Sequence, residues 1–397
     1  MRNQSQTSQS RGLSRRSLLL SAAASMAVAA CDVPAIGPLS TGPAADPSQP
    51  VPVALMLPGG GGNEERETLA RNLENAARLA VADLQGVEID LRIYQTGGSA
   101  ERAAAMAARA INDGAQIIVG PLFADSARAV GPVAAQAGVN VLSFSNNPDV
   151  AGGNVFLLGP MFEPTATRLL TYAASQDKGR VMILSEQNEA GEIGARSMQR
   201  AADRTGASIV ASESYEFSQR GIVDSLPRIS SAAQSSGAQS IFLTASSAGA
   251  LPLLAELLPE NGISPSSFQF MGLTRWDIPP ATLQLSGLQG GWFALPDPTL
   301  TSQFESRYRA AYGSTPNAVA ALAYDGIAAV GALASRGGNA PFSAASITQG
   351  SGFAGVTGVF RLRADGSNER GLAIAEIRDQ RVNVLSPAPR SFAGGGS

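Results

Sequence analysis

The sequence predicts an α/β protein of two doubly wound parallel-sheet lobes joined by a hinge of several chain segments. Two features carry that expectation. Short, almost continuously apolar segments such as Ile117-Ile118-Val119 and Val139-Asn140-Val141-Leu142 alternate with Ala-rich helical stretches, as strands covered on both faces must. The alternation pauses near Leu158 and restarts near Thr165, so the 397 residues divide between two cores.

The amino terminus reads as targeting rather than structure. Residues 1–30 carry Arg2, Arg11, Arg15 and Arg16 ahead of a short apolar stretch, Leu18 to Ala30, and so form a signal segment. It ends in Val28-Ala29-Ala30-Cys31, which resembles a bacterial lipobox with Cys31 as the lipidated residue and the chain's only Cys. Ser14-Arg15-Arg16-Ser17-Leu18-Leu19 fits either twin-arginine or general secretory export. Residues 31–50, rich in Pro, Gly, Ser and Thr, read as a disordered tether. Without residues 1–30 the net charge moves from −3 to −7, with 25 Lys+Arg against 32 Asp+Glu. An acidic domain without basic clusters argues against nucleic acid as a partner. The absence of His excludes His triads and His-based zinc sites.

The first lobe begins with strand Val53 to Leu57, a glycine-rich turn, and a helix whose Leu69, Leu73, Ala76, Ala80 and Leu84 share one face. The turn lacks both the Gly-Lys-Ser/Thr and the G-x-G-x-x-G pattern of nucleotide loops. Strand Ile89 to Tyr94 follows, then a helix capped by Ser99 and closed at Gly114. Residues 116–147 add strand, turn, helix, strand and turn, with ligand-accessible turns at Gly120 to Ser126 and Ser143 to Asn147. The second series has strands near 180–184, 208–211, 241–243 and 268–271, each followed or preceded by a helix. Pro296-Asp297-Pro298 marks a crossing, helices near 301–312 and 317–336 return to the first lobe, and the end is β-rich. The expected division is therefore 51–158 with 299–350 for lobe 1, 159–298 with 351–385 for lobe 2, and a disordered tail at 386–397.

On VGPLFADSA (119–127), VLSFSNN (141–147), GLTRWDIP (272–279) and GVFRLRADGS (358–367), the chain resembles type I periplasmic binding proteins of the leucine-binding group. Within them it is most similar to penicillin-binding protein activator lipoproteins. The resemblance implies a ligand cleft formed by Ala124, Asp125 and Ser126 after the third strand and by Ser145, Asn146 and Asn147 after the fourth. The opposite lobe would add Ala190, Thr274, Arg275 and Trp276. Ala124 stands where amino-acid binders carry a hydroxyl, Ala190 replaces a closing aromatic, and Thr274 falls where an acid pairs with the ligand's ammonium. The residues alone allow other roles: helix capping for Asp125 and Ser126, turn formation for Ser145 to Asn147, an Arg275–Asp277 pair, and core packing for Trp276.

No enzyme is expected. Ser175-Gln176-Asp177-Lys178 matches S-x-x-K, but its companion S-D-N and K-T-G motifs are missing. No cofactor or metal is expected, since no calcium-loop spacing occurs. The resemblance thus implies a lipid-anchored periplasmic protein, at either bacterial membrane, that contacts a penicillin-binding protein and regulates peptidoglycan synthesis. The rival expectation is the substrate-binding protein of an ABC transporter, with a permease and a small polar ligand as partners.

Overall fold

The computed structural model describes residues 49–392. Cys31, the signal segment, nearly all of the tether and the last five residues lie outside the described residues.

Lobe 1 opens with β1 (Val51–Leu57), α1 (Glu64–Asp83), β2 (Ile89–Gln95), α2 (Ala100–Asn112), β3 (Ile117–Val119), α3 (Ala124–Gln136), β4 (Asn140–Ser143) and β5 (Val155–Leu157). The strands form one sheet in the order β2-β1-β3-β4-β5, all parallel. Leu55, Leu57, Ile117, Val119 and Leu142 are fully buried, because helices cover both faces of the sheet. Local chemistry sets the helix starts. Asn63 accepts the Arg66 N–H at 2.9 Å to cap α1, and Ser99 accepts the Arg102 N–H at 3.3 Å to cap α2. The glycine-rich turn is closed by the chain itself: the Glu67 carboxylate accepts N–H groups of Gly60 at 2.7 Å and Gly61 at 3.2 Å. That turn already holds an anion, its own.

Lobe 2 comprises α4 (Phe162–Ser175), β6 (Arg180–Glu186), α5 (Glu189–Ala202), β7 (Ser208–Tyr215), α6 (Gln219–Ser235), β8 (Ser240–Leu243), α7 (Leu251–Glu260), β9 (Gln269–Gly272) and β10 (Trp292–Leu295). The chain then returns to lobe 1 through α8 (Pro298–Tyr312) and α9 (Ala320–Arg336). Asp297 accepts the Thr299 and Leu300 N–H groups, so α8 starts as soon as the crossing ends. Its neighbour α9 packs along α1, where Gly331 leaves room for Leu84, and on the sheet side Gly326 lets α9 approach Val119 and Leu158 closely.

The β-rich end divides differently from the sequence expectation. The strands β11 (Phe353–Gly355), β12 (Gly358–Leu362) and β13 (Asn368–Arg370) form a small antiparallel sheet. Its Phe353, Phe360 and Leu362 are buried in the lobe 1 core, and Asn368 donates to the Leu157 and Gly159 carbonyls. Residues 353–370 therefore join lobe 1, in place of the lobe 2 expected for 351–385. Only β14 (Ala373–Arg378) and β15 (Arg381–Ser386) cross over, completing the lobe 2 sheet β15-β14-β10-β9-β8-β6-β7. Of the two, β14 is antiparallel to both its neighbours, β10 and β15, so that β15 runs in the same direction as the remaining strands. Within the expected tail, Ala388 is buried in the lobe 2 core and the Arg361 guanidinium lies 4.7 Å from the Phe392 ring centre.

The small sheet carries an acid-sensitive contact. Burial pushes the Glu369 carboxyl up, but hydrogen bonds from Arg363 and Arg361, both at 2.6 Å, outweigh this and hold it below its ordinary value. A lowered folded-state value adds stability above the unfolded value, and that stability is lost as pH falls through the folded value. Glu369→Gln is therefore expected to flatten the acid limb of a melting-temperature profile below about pH 5. An unchanged acid limb would show that the contact is not linked to folding.

Candidate functional site

Three segments cross between the lobes: residues 158–161, 296–297 and 371–372. Arg370, whose side chain is 6% exposed, ties them together. It donates from Nε to the Leu158 carbonyl at 3.0 Å and from Nη1 to Asp325 Oδ2 at 3.0 Å and Thr357 Oγ1 at 2.7 Å. The Thr357 carbonyl in turn accepts the Asp297 N–H at 3.1 Å. Asp325, fully buried in the middle of α9, also accepts from Val356 N–H at 2.8 Å and from the Thr357 hydroxyl. A charge that deep is tolerable only because each of its oxygens is occupied.

The crossings frame a cleft containing two chambers. The front chamber, about 260 Å³, lies between Asn146, Asn147 and Pro148 of lobe 1 and Glu189, Ala190, Ile193, Ser197 and Arg200 of α5. Part of its charge is internally paired: Glu163 accepts from Arg200 at 2.7 Å and from Arg204 at 2.6 Å. The hinge chamber, about 270 Å³, lies deeper. Phe162, Leu273, Leu322 and Leu372 give it apolar walls, with Asn146, Thr274, Arg275, Thr357 and Arg370 as polar points. Such a mostly apolar cavity with a few convergent polar groups is the usual form of a small-molecule site.

The residues expected at the cleft separate into four groups. Asn146, Asn147, Ala190, Thr274 and Arg275 line one or both chambers. Ser145 is buried behind them, and its hydroxyl accepts the Asn147 N–H at 3.2 Å. Asn147 is partly committed too, since its Oδ1 accepts the Asp149 N–H at 2.9 Å. Ala124, Asp125 and Ser126 border neither chamber. Asp125 pairs with Arg128 at 2.6 Å on an exposed helix face, while Ser126 is buried and Phe123 occupies the capping position of α3.

Trp276, expected beside Arg275 in the cleft, lies instead in the lobe 2 core with no exposed surface. Its ring stacks on Phe293 at 6.3 Å and packs against two glycines. A Cβ on Gly272 would sit 2.1 Å from Trp276 Nε1, and one on Gly291 would sit 2.4 Å from Cζ3. Arg275 makes the expected pair, Nε donating to Asp277 Oδ1 at 2.8 Å and Nη2 to Oδ2, while still facing the hinge chamber. Sequence reasoning missed Phe162, Glu163, Leu322, Thr357 and Arg370. These residues meet only because three distant segments cross at one place, and no local pattern announces that.

Among the described residues no group of His, Cys, Asp and Glu is arranged to hold a metal ion, and no helix is long and apolar enough to cross a membrane.

The fold recurs among solved structures. A protein assigned as a branched-chain amino acid ABC transporter from Rhodospirillum rubrum is similar at TM-score 0.72 and 20% identity, over 85% of this chain and 100% of that one. An ABC transporter substrate-binding protein from Desulfitobacterium hafniense, in complex with Leu, is similar at TM-score 0.64 and 21% identity, over 85% and 100%. A solute binding protein of an ABC transporter from Rhodopseudomonas palustris BisB5, in complex with 3,4-dihydroxy benzoic acid, is similar at TM-score 0.59 and 16% identity, over 86% and 98%. At these identities the likeness establishes the fold alone. No curated protein matches the chain. The sequence profile described as periplasmic binding protein matches residues 50–381, which is both lobes and every crossing between them. By that match the chain belongs to the periplasmic binding protein family, whose α/β two-lobed fold it shares.

Proposed function

We propose that the protein is the solute receptor of an ABC transporter, held at the periplasmic face of a membrane by a lipid on Cys31, and that it closes its lobes on a small organic solute. The observation that carries this reading is the hinge chamber, walled by both lobes and by all three crossings, so that hinge motion changes its volume directly. The structural neighbours crystallised with Leu and with 3,4-dihydroxy benzoic acid support it by analogy of fold.

A thermal-shift panel of amino acids, amides and organic acids tests the proposal. A solute at a hundred times its Kd adds about 2.7 kcal/mol to stability and raises the melting temperature accordingly. A broad panel without any shift would overturn the receptor reading. For a solute that does bind, Asn146→Ala should weaken affinity a few-fold to about tenfold, the worth of one hydrogen bond at about 0.5–1.5 kcal/mol. Calorimetry measures that difference.

A second reading keeps one specific support. Position 124, at the start of α3, holds Ala in place of the hydroxyl of an amino-acid clamp, and position 274, after β9, holds Thr in place of its acid. A regulator acting by protein contact, such as an activator of a penicillin-binding protein, needs no such clamp. Co-purification with a peptidoglycan synthase, together with a raised transpeptidase rate, would favour it.

A further inference from the structure

The hinge chamber has a distinctive electrostatic character. Two arginines, Arg275 and Arg370, line it, and no Asp or Glu does. Asp277 and Asp325, which do not line it, each bond one of these arginines. Arg370 spends its donors on Leu158, Thr357 and Asp325. Arg275 does not: Nε and Nη2 go to Asp277, and Nη1 has no protein partner among the described residues. Beside it the Thr274 hydroxyl makes only a 3.4 Å contact with the Ala245 carbonyl, and Asn146 is exposed on the facing lobe.

We infer that the solute is a carboxylate with an apolar body and no ammonium group, seated in the hinge chamber with its carboxylate on Arg275 Nη1, Thr274 and Asn146. This inference rests on the receptor reading and gives it a substrate class. An ammonium brought into this chamber would meet no acid and would lose its hydration without a partner. A carboxylate meets a charge-assisted donor and two neutral ones. The apolar remainder of the solute packs on Phe162, Leu273, Leu322 and Leu372. At roughly 30 Å³ per liquid water, the chamber has space for about nine waters, enough for a branched aliphatic or a single-ring acid.

Matched compounds separate the charges. The purified full-length chain is titrated calorimetrically with 4-methylpentanoate, 3-phenylpropanoate, leucine, phenylalanine and 3-methylbutylamine. At least one of the two simple carboxylates should bind at least tenfold tighter than the amino acid of the same side chain, and the amine should not bind. Two variants locate the site. Arg275→Gln with Asp277→Asn removes the pair without leaving either charge alone, and should lower carboxylate affinity at least tenfold. Ala318→Trp, at an exposed position lining the chamber, should block binding by filling it while leaving the melting temperature of the free protein close to wild type. Amino acids binding as tightly as the simple acids, or binding alone, would overturn the inference and leave the receptor reading standing. Binding that survives both variants would overturn the location and with it the inference. If nothing in this set or in the broader panel binds, both readings fall together.

Discussion

Replacing Arg370 with methionine is expected to destabilise the protein by about 3–5 kcal/mol, because it leaves the Asp325 carboxylate buried without its cation. Asp325→Ala should cost a similar amount for the opposite reason, stranding Arg370 and the Val356 N–H. The pair lies where all three crossings meet, so either loss should be felt by both lobes. Urea unfolding at neutral pH, compared between variant and wild type, measures the effect. A loss below about 1 kcal/mol would place the pair in the class of exposed ion pairs and contradict its role as the hinge clasp. Gly355 supports the same clasp, since a Cβ there would come within 2.1 Å of Asp325 Oδ1.

Trp276→Ala should cost about 3–5 kcal/mol, the range for deleting a large buried aromatic whose surroundings relax only partly. Trp276→Phe should cost clearly less. The Nε1 group is buried with no hydrogen-bond partner among the described residues, so losing the indole N–H removes an unpaid desolvation along with some packing. Both variants should keep wild-type solute affinity, because the ring touches neither chamber. Equal losses for the two substitutions would mean that the N–H has a partner after all.

The architecture was legible because it is written in local pattern. Buried strands such as Ile117–Val119 read as continuous apolar runs, and helix starts such as Ser99 carry their own caps. What misled was shared character. Phe360 and Ile374 both sit in strands of the β-rich end, yet one packs against lobe 1 and the other against lobe 2. Alternation shows that a residue is buried, not in which core. The cleft was half legible for the same reason. Asn146 and Thr274 follow strands at the carboxyl edges of their sheets, where topology leads one to look. Arg370 sits at the end of a short hairpin strand, where an arginine resembles an ordinary surface residue until the fold brings Asp325 to it. Trp276 next to a cleft arginine invited a binding role; the glycines at 272 and 291, far apart in sequence, are what make its core pocket.

A solute receptor closes its lobes around its ligand, and one distance reports this most directly. With Cys31 changed to Ser, Asp149→Cys and Glu192→Cys place the only two thiols on exposed positions on opposite sides of the front chamber. Spin labels on that pair should move closer when a solute that raises the melting temperature is added, and return when it is dialysed away. A separation that stays the same with every solute tested, in a protein whose melting temperature none of them raises, would contradict the receptor reading.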